Sequence, residues 1–335
     1  MAGLTYTMLD ATELATSEVY GRVLTEPGRE HPEIVGLSGD LAKSTKIGVF
    51  AKEFPERFFN VGIAEQNLFS MSAGLASTGF VPFVSTFAAF ATMRALEQLR
   101  TDICYGNQNV KIIATHSGLS FGQAGSTHHA PEDIGILRTI ANLVVLCPAD
   151  GMSTAQAVVA AYETPGPVYI RINRGFDQNV YSAPIEDWHV GGSSRLREGS
   201  DLTIMATGSG LWRAVQAADR LAAQDGLSVR VVDVYSLKPL DEQAVLDAVT
   251  DTRRIITVED ANIANGLGTA IATVAAGLGK GFAFRRLGLP DCYSIIGQPE
   301  DLFAHYGYDE NGIIEAAREL MRLEITDDDD WDDEI

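Results

Sequence analysis

Six short apolar runs, none alternating with polar residues, punctuate the first 175 residues: Ile34 to Leu37, Phe58 to Val61, Val81 to Ser85, Val110 to Thr115, Leu143 to Leu146 and Val168 to Ile172. A strand with one wet face alternates; a strand covered by helices on both faces has no reason to, so these runs predict a parallel sheet. The spacers between them are long enough for crossover helices. Asp150 followed by Gly151 to Tyr162 reads as a capped helix feeding the last strand. After Asn173 the pattern lapses into a stretch rich in Gly, Pro and Ser, then a second series begins with DLTIMATGS, a helix over about Leu211 to Gln224, VRVVDVYSL, a helix from about Asp241, RIITVED, a helix from about Leu267 and FAFRRLGL. The expected fold is α/β: two doubly wound domains with mainly parallel sheets, at 1–175 and 200–325, joined by a linker at 176–199 and followed by an acidic tail at 326–335.

Charge narrows the partners. The net charge of −20 would repel a phosphodiester backbone, so nucleic-acid binding is not expected. Seven acids crowd the last nine residues, a run expected to be solvated and disordered. Cys104, Cys147 and Cys292 show no paired spacing, which fits a reducing compartment, buried small side chains and neither a disulfide frame nor a zinc ribbon. The amino terminus shows no secretory signal, so the cytoplasm is the expected location. The uncharged stretch Gln66 to Met93 is long enough to span a bilayer, but Gly79 and Pro82 divide it into helix, strand and helix, and it reads as fully buried core.

In doubly wound sheets ligands bind beyond the carboxyl ends of strands. Three segments carry polar or aromatic residues there. In FFNVGIAEQN, Glu65 opens a long apolar helix; it could simply complement the helix dipole, but the run offers it no neighbouring base, and burial then favours its protonated form. In STFAAF, Phe87 and Phe90 share a helical face with Arg94, as two core rings or as a platform for a flat heterocycle. The loop His116 to His129 holds three of the six histidines among Gly and Ser. It has no Cys, Asp or Glu to complete a metal site, so no metal ligands are assigned, and proton handling or hydrogen bonding to a polar substrate suits it better. Pro131, Glu132 and Asp133 then start a helix with a favourable first turn. Thr207-Gly208-Ser209-Gly210 reads as a tight turn, and no Walker loop, GxGxxG or GDG with a downstream metal-ligating Asn is present, so the chain lacks a diphosphate site of its own.

Together these segments resemble the carboxy-terminal half of a transketolase: FFNVGIAEQN its glutamate motif, STFAAF its aromatic pocket and THSGLSFGQAGSTHH its histidine loop, in family order, with SGDLAKST and PVYIRINRG as flanking elements. The resemblance covers nearly the whole chain. It implies thiamine diphosphate and Mg2+ as cofactors, with the diphosphate and its ion held by an amino-terminal domain on another polypeptide of about 300 residues. The enzyme would then be a split transketolase, an αβ pair doubled to α2β2, transferring a two-carbon ketol unit from a ketose donor to an aldehyde acceptor. Glu65 would bond a ring nitrogen of the thiamine pyrimidine and favour its imino tautomer, and Phe90, with Phe87 beside it, would pack on that ring. His116 and His128 would bond substrate hydroxyls. Ser44 and Arg171 would hold the acceptor's far end, Arg171 suiting a phosphate.

Three departures bear on substrate. Ala124 stands where the family's GEDGPTH form has an aspartate that reads a substrate hydroxyl; Met93 replaces a third aromatic; and no phosphate-binding arginine is found around Asp10 to Ala15. A deoxy donor, an unphosphorylated acceptor or a short ketoacid would fit these changes. The alternatives are the β subunit of a 2-oxo-acid dehydrogenase-like enzyme, against which the histidine loop argues; a deoxyxylulose-phosphate synthase-like enzyme, against whose single-chain form the missing amino-terminal half argues; and a noncatalytic regulator of a complete transketolase. The second domain offers no site residue.

Overall fold

A computed structural model describes residues 15–175 and 177–325. The acidic tail lies outside them, as do residues 10–14 of the segment that lacks a phosphate-binding arginine. All six apolar runs of the first half form strands: β1 (Ile34–Ser38), β2 (Phe58–Asn60), β3 (Val81–Phe87), β4 (Lys111–Thr115), β5 (Val144–Leu146) and β6 (Val168–Arg171). They pair in parallel in the order β5-β6-β4-β3-β1-β2. Successive residues feed opposite faces. Val84, Ile112 and Tyr169 enter one core, and Phe83, Ile113 and Ile170 the other, which is why the runs do not alternate. The helix Gly151–Glu163 starts with a capping box, Asp150 accepting the Ser153 N–H at 2.9 Å.

The second half forms β7 (Ser194–Arg197), β8 (Leu202–Ala206), β9 (Val229–Asp233), β10 (Ser236–Lys238), β11 (Arg254–Asn262) and β12 (Ala283–Leu289). Its sheet runs β12-β11-β8-β9-β7, parallel except for β7. Two expectations change here. The 176–199 linker contains β7, a short, mostly polar, only partly buried strand that suits a sheet edge and runs antiparallel to β9. And VRVVDVYSL is not one strand: after Asp233 the chain turns away, and β10 pairs antiparallel with β5, adding an edge strand to the first sheet. The first sheet's larger core accordingly continues into the second domain through Met205, Val232, Ile255 and Leu267.

The uncharged stretch is not wholly core. The helix Glu65–Ser77 buries Leu68, Phe69, Ser72 and Ala73 but exposes Gln66, Asn67, Ser70, Gly74 and Ser77. The segment Phe90–Arg94 after β3 is a π-helix, and no helix among the described residues is long and apolar enough to cross a membrane. Cys104 and Cys147 are buried as expected; Cys292 is exposed.

Candidate active site

The carboxyl ends of β3 and β4 deliver the aromatic pocket and the histidine loop to one place. Phe87 ends β3, and the imidazole of His116, one residue past β4, stacks on it with centroids 3.9 Å apart. His116 reaches this position through a left-handed backbone (φ 58°). Its Nδ1 lies 2.9 Å from the Thr115 hydroxyl. His128 closes the cluster edge-on to Phe90 at 5.4 Å, with its own Nδ1 2.8 Å from the Thr127 hydroxyl. Each imidazole is thus oriented by the preceding threonine and keeps Nε2 for other partners. Phe121, which the sequence did not single out, stands edge-on to both rings at 5.2 and 5.6 Å. Burial, helped by the nearby charge of Arg174 and by His128, pushes the His116 pKa down to about 3, so the ring is neutral at physiological pH. His128 is also lowered, by burial first, then Arg94 and His129.

Glu65 begins its helix with only 4 % of the residue exposed. The expectation that it has no basic neighbour is overturned, because Arg94 Nη1 donates to Glu65 Oε1 at 3.0 Å. The guanidinium of Arg94 also lies over the Phe90 ring, 3.7 Å from its centroid. Arg94 lies one residue beyond the uncharged stretch and folds back over it. The result is a slot with an aromatic floor and a carboxylate at one edge, filled by a flat N–H donor.

Arg171 requires a correction. It is 1 % exposed, its Nε donates to both oxygens of buried Asp133 at 3.0 and 2.8 Å, and its Nη2 donates to the Asp260 carbonyl at 2.7 Å. A guanidinium so committed has no face left for a phosphate; it ties the two domains together. Asp133, expected to serve a helix dipole, is its counter-ion. Arg174, three residues on, holds its guanidinium 4.7 Å over the Phe121 ring. With Ser120, Gln123, Asn173 and Arg213 it lines a cavity of about 320 Å³ between the domains, beside the histidine loop. Ser44 is exposed on the short helix Ala42–Thr45 that follows β1, on the same sheet edge but with no bond to the cluster. Ala124 lies in a 3-10 turn of the loop.

The second domain, from which no site residue was expected, reaches the loop directly. Asp260 accepts the Leu119 N–H with both carboxylate oxygens at 3.0 Å and the Tyr308 hydroxyl at 3.1 Å. Gly118 (φ 55°) packs so closely on Asp260 that any Cβ would collide with it. No local motif announces such a contact, since the partners are 141 residues apart.

A flat, nitrogen-bearing ring with an N–H at its edge fits the Phe90–Glu65 slot, because the Arg94 guanidinium already occupies it with that geometry. Among the described residues no group of three His, Cys, Asp or Glu could hold a metal ion.

The family model for the transketolase pyrimidine-binding domain matches residues 12–176, and that for the transketolase C-terminal domain matches 191–313. A putative transketolase C-terminal section of Methanocaldococcus jannaschii is 40% identical over 306 residues, covering 91% of this chain and 96% of that protein. An apulose-4-phosphate transketolase subunit of Phocaeicola vulgatus is 36% identical, covering 92% and 98%. Mouse transketolase is 35% identical over 92% of this chain, which spans only 49% of it. A solved structure described as a split gene transketolase, inactive beta4 tetramer, superposes with a TM-score of 0.83 at 41% identity, covering 92% and 99%.

Proposed function

The chain belongs to the transketolase family, and on that premise we propose that it is the β-type subunit of a split, thiamine diphosphate-dependent transketolase that moves a two-carbon ketol unit from a ketose to an aldehyde. The observation that carries this is the adjacency of the Glu65–Phe90 slot to the two neutral, threonine-oriented imidazoles. Glu65 would hold the proton of a ring nitrogen, and Phe90 would seat the ring face. Thiamine diphosphate, when bound, supplies the nucleophilic carbon and the electron sink, while the protein supplies orientation and a dry pocket. His116 and His128 would bond the substrate's carbonyl and hydroxyl oxygens through Nε2 and pass protons without carrying fixed charge. Arg174 replaces Arg171 as the cation for the far end of the substrate, and Ser44 would approach it from the β1 side.

The diphosphate and Mg2+ would be held by an amino-terminal partner subunit, in an α2β2 assembly in the cytoplasm. The relatives described as a C-terminal section and as one subunit of a transketolase are covered over 96% and 98% of their own length and match 91% and 92% of this chain, which supports the division. Ala124 favours a substrate lacking the hydroxyl that the family's aspartate reads.

The test is to purify the chain alone and with a candidate amino-terminal subunit, add thiamine diphosphate and magnesium, and assay ketol transfer across phosphorylated and simple aldehydes. Transfer only by the mixture is expected; transfer by the isolated chain overturns the split site.

A further inference from the structure

Arg94 covers Glu65 and Phe90, two of the residues assigned to the coenzyme ring, and this inference rests on that assignment. Phe90 is 9 % exposed, whereas the Arg94 side chain above it is 46 % exposed. The guanidinium is therefore the lid of the slot rather than part of its wall. It offers Phe90 a flat cationic face at 3.7 Å and Glu65 an N–H at 3.0 Å, the same two contacts that an aminopyrimidine would make. Two flat groups cannot occupy one such space.

We propose that Arg94 is a placeholder for the coenzyme: its guanidinium fills the slot between Phe90 and Glu65 while the slot is empty, and swings to solvent when the ring enters. The arrangement has a physical purpose. A carboxylate buried as deeply as Glu65 is costly to leave unpaired, and Arg94 keeps it paired until a ligand N–H takes over. The local backbone suits a movable side chain. Arg94 is the last residue of the π-helix Phe90–Arg94, and Ala95 leaves helical geometry altogether (φ −115°, ψ 21°). Single π turns of this kind recur at functional sites.

If Arg94 must be displaced, Arg94→Gln removes a competitor, and the assembled enzyme should bind thiamine diphosphate about tenfold more tightly, because the coenzyme no longer has to displace the ion pair. The same variant should melt at a lower temperature without coenzyme and recover most of the loss with it. Arg94→Lys, which keeps the charge but not the flat stacking face, should lie between. Unchanged or weaker binding in Arg94→Gln would overturn the proposal, since an arginine that helps hold the ring must lose affinity when removed. Should the variant fail to fold, a structure of the wild-type assembly with thiamine diphosphate decides: Arg94 turned to solvent supports the proposal, and Arg94 still bonded to Glu65 overturns it. A properly assembled wild type that binds no coenzyme would sink the reading of the slot itself, and this proposal with it.

Discussion

Asp260, near the end of β11, takes the N–H of Leu119 between its two carboxylate oxygens, so a residue of the second domain holds the histidine loop of the first. Asp260→Ala should free that loop. We expect a stability loss of about 1.5–3 kcal/mol, the usual cost of a hydrogen bond to a charged group. Amide exchange over 117–129 should rise well beyond that of β4. Unaltered protection of Leu119 in the folded variant would show that the loop keeps its shape unaided.

The two arginines of PVYIRINRG should respond differently. Arg171→Ala leaves Asp133 buried without its counter-ion and should cost about 3–5 kcal/mol in a urea titration. Arg174→Ala removes only a stacked, partly exposed cation. It should leave the urea midpoint nearly in place while raising KM for anionic substrates about tenfold or more, with kcat little changed. Equal KM values for wild type and variant would remove Arg174 from the substrate.

Glu65→Gln keeps the shape of the helix start but cannot share a proton with a ring nitrogen. Turnover of the assembled enzyme should fall by about 10² or more, with assembly unaffected by sedimentation. Near-normal turnover would end the role assigned to Glu65.

Arg94 bears on His128 through space. Burial of His128 first, and then the positive charge of Arg94, disfavour the imidazolium, so Arg94→Gln should raise the His128 pKa while leaving it below that of a solvated histidine. Proton NMR of the imidazole reads the change directly, and a fall would contradict the geometry.

Asp233 sets a pH dependence. Burial pushes its pKa up to about 8; the Tyr181 hydroxyl, bonded at 2.8 Å, offsets part of this, and Asp150 adds to it. The folded chain then holds a proton that the unfolded chain releases near pH 4, so this contribution to stability is complete below pH 4 and is lost as pH rises through 8. Asp233→Asn should flatten the decline between pH 5 and 9 and be the more stable protein at pH 9. Parallel curves for the two proteins would exclude Asp233 as the source.

What could be read from sequence followed the range of the interaction. Strands β1 to β6 were legible because covering both faces of a sheet removes alternation, a local property. That Phe87, Phe90 and His116 would lie close together could be read because each stands within a few residues of the end of β3 or β4, whereas His128, thirteen residues past β4, joins them only through the fold of its loop. Arg94 shares a helical face with the two phenylalanines, but its return onto Glu65 depends on a π turn that no periodicity announces. Arg171 misleads for a different reason. Its neighbours in sequence are those of a binding loop, whereas its partners, Asp133 and Asp260, are 38 and 89 residues away. The linker strand β7 and the departure of β10 were invisible because three- and four-residue edge strands carry almost no pattern of their own.

The crossing of β10 into the first sheet has a practical meaning for anyone dissecting this chain. Cut after residue 175, the amino-terminal piece would present β5 with a bare row of amides and carbonyls, an invitation to aggregate. The two halves look modular on paper, but they are stitched, and swapping one between relatives without the other would leave a seam open.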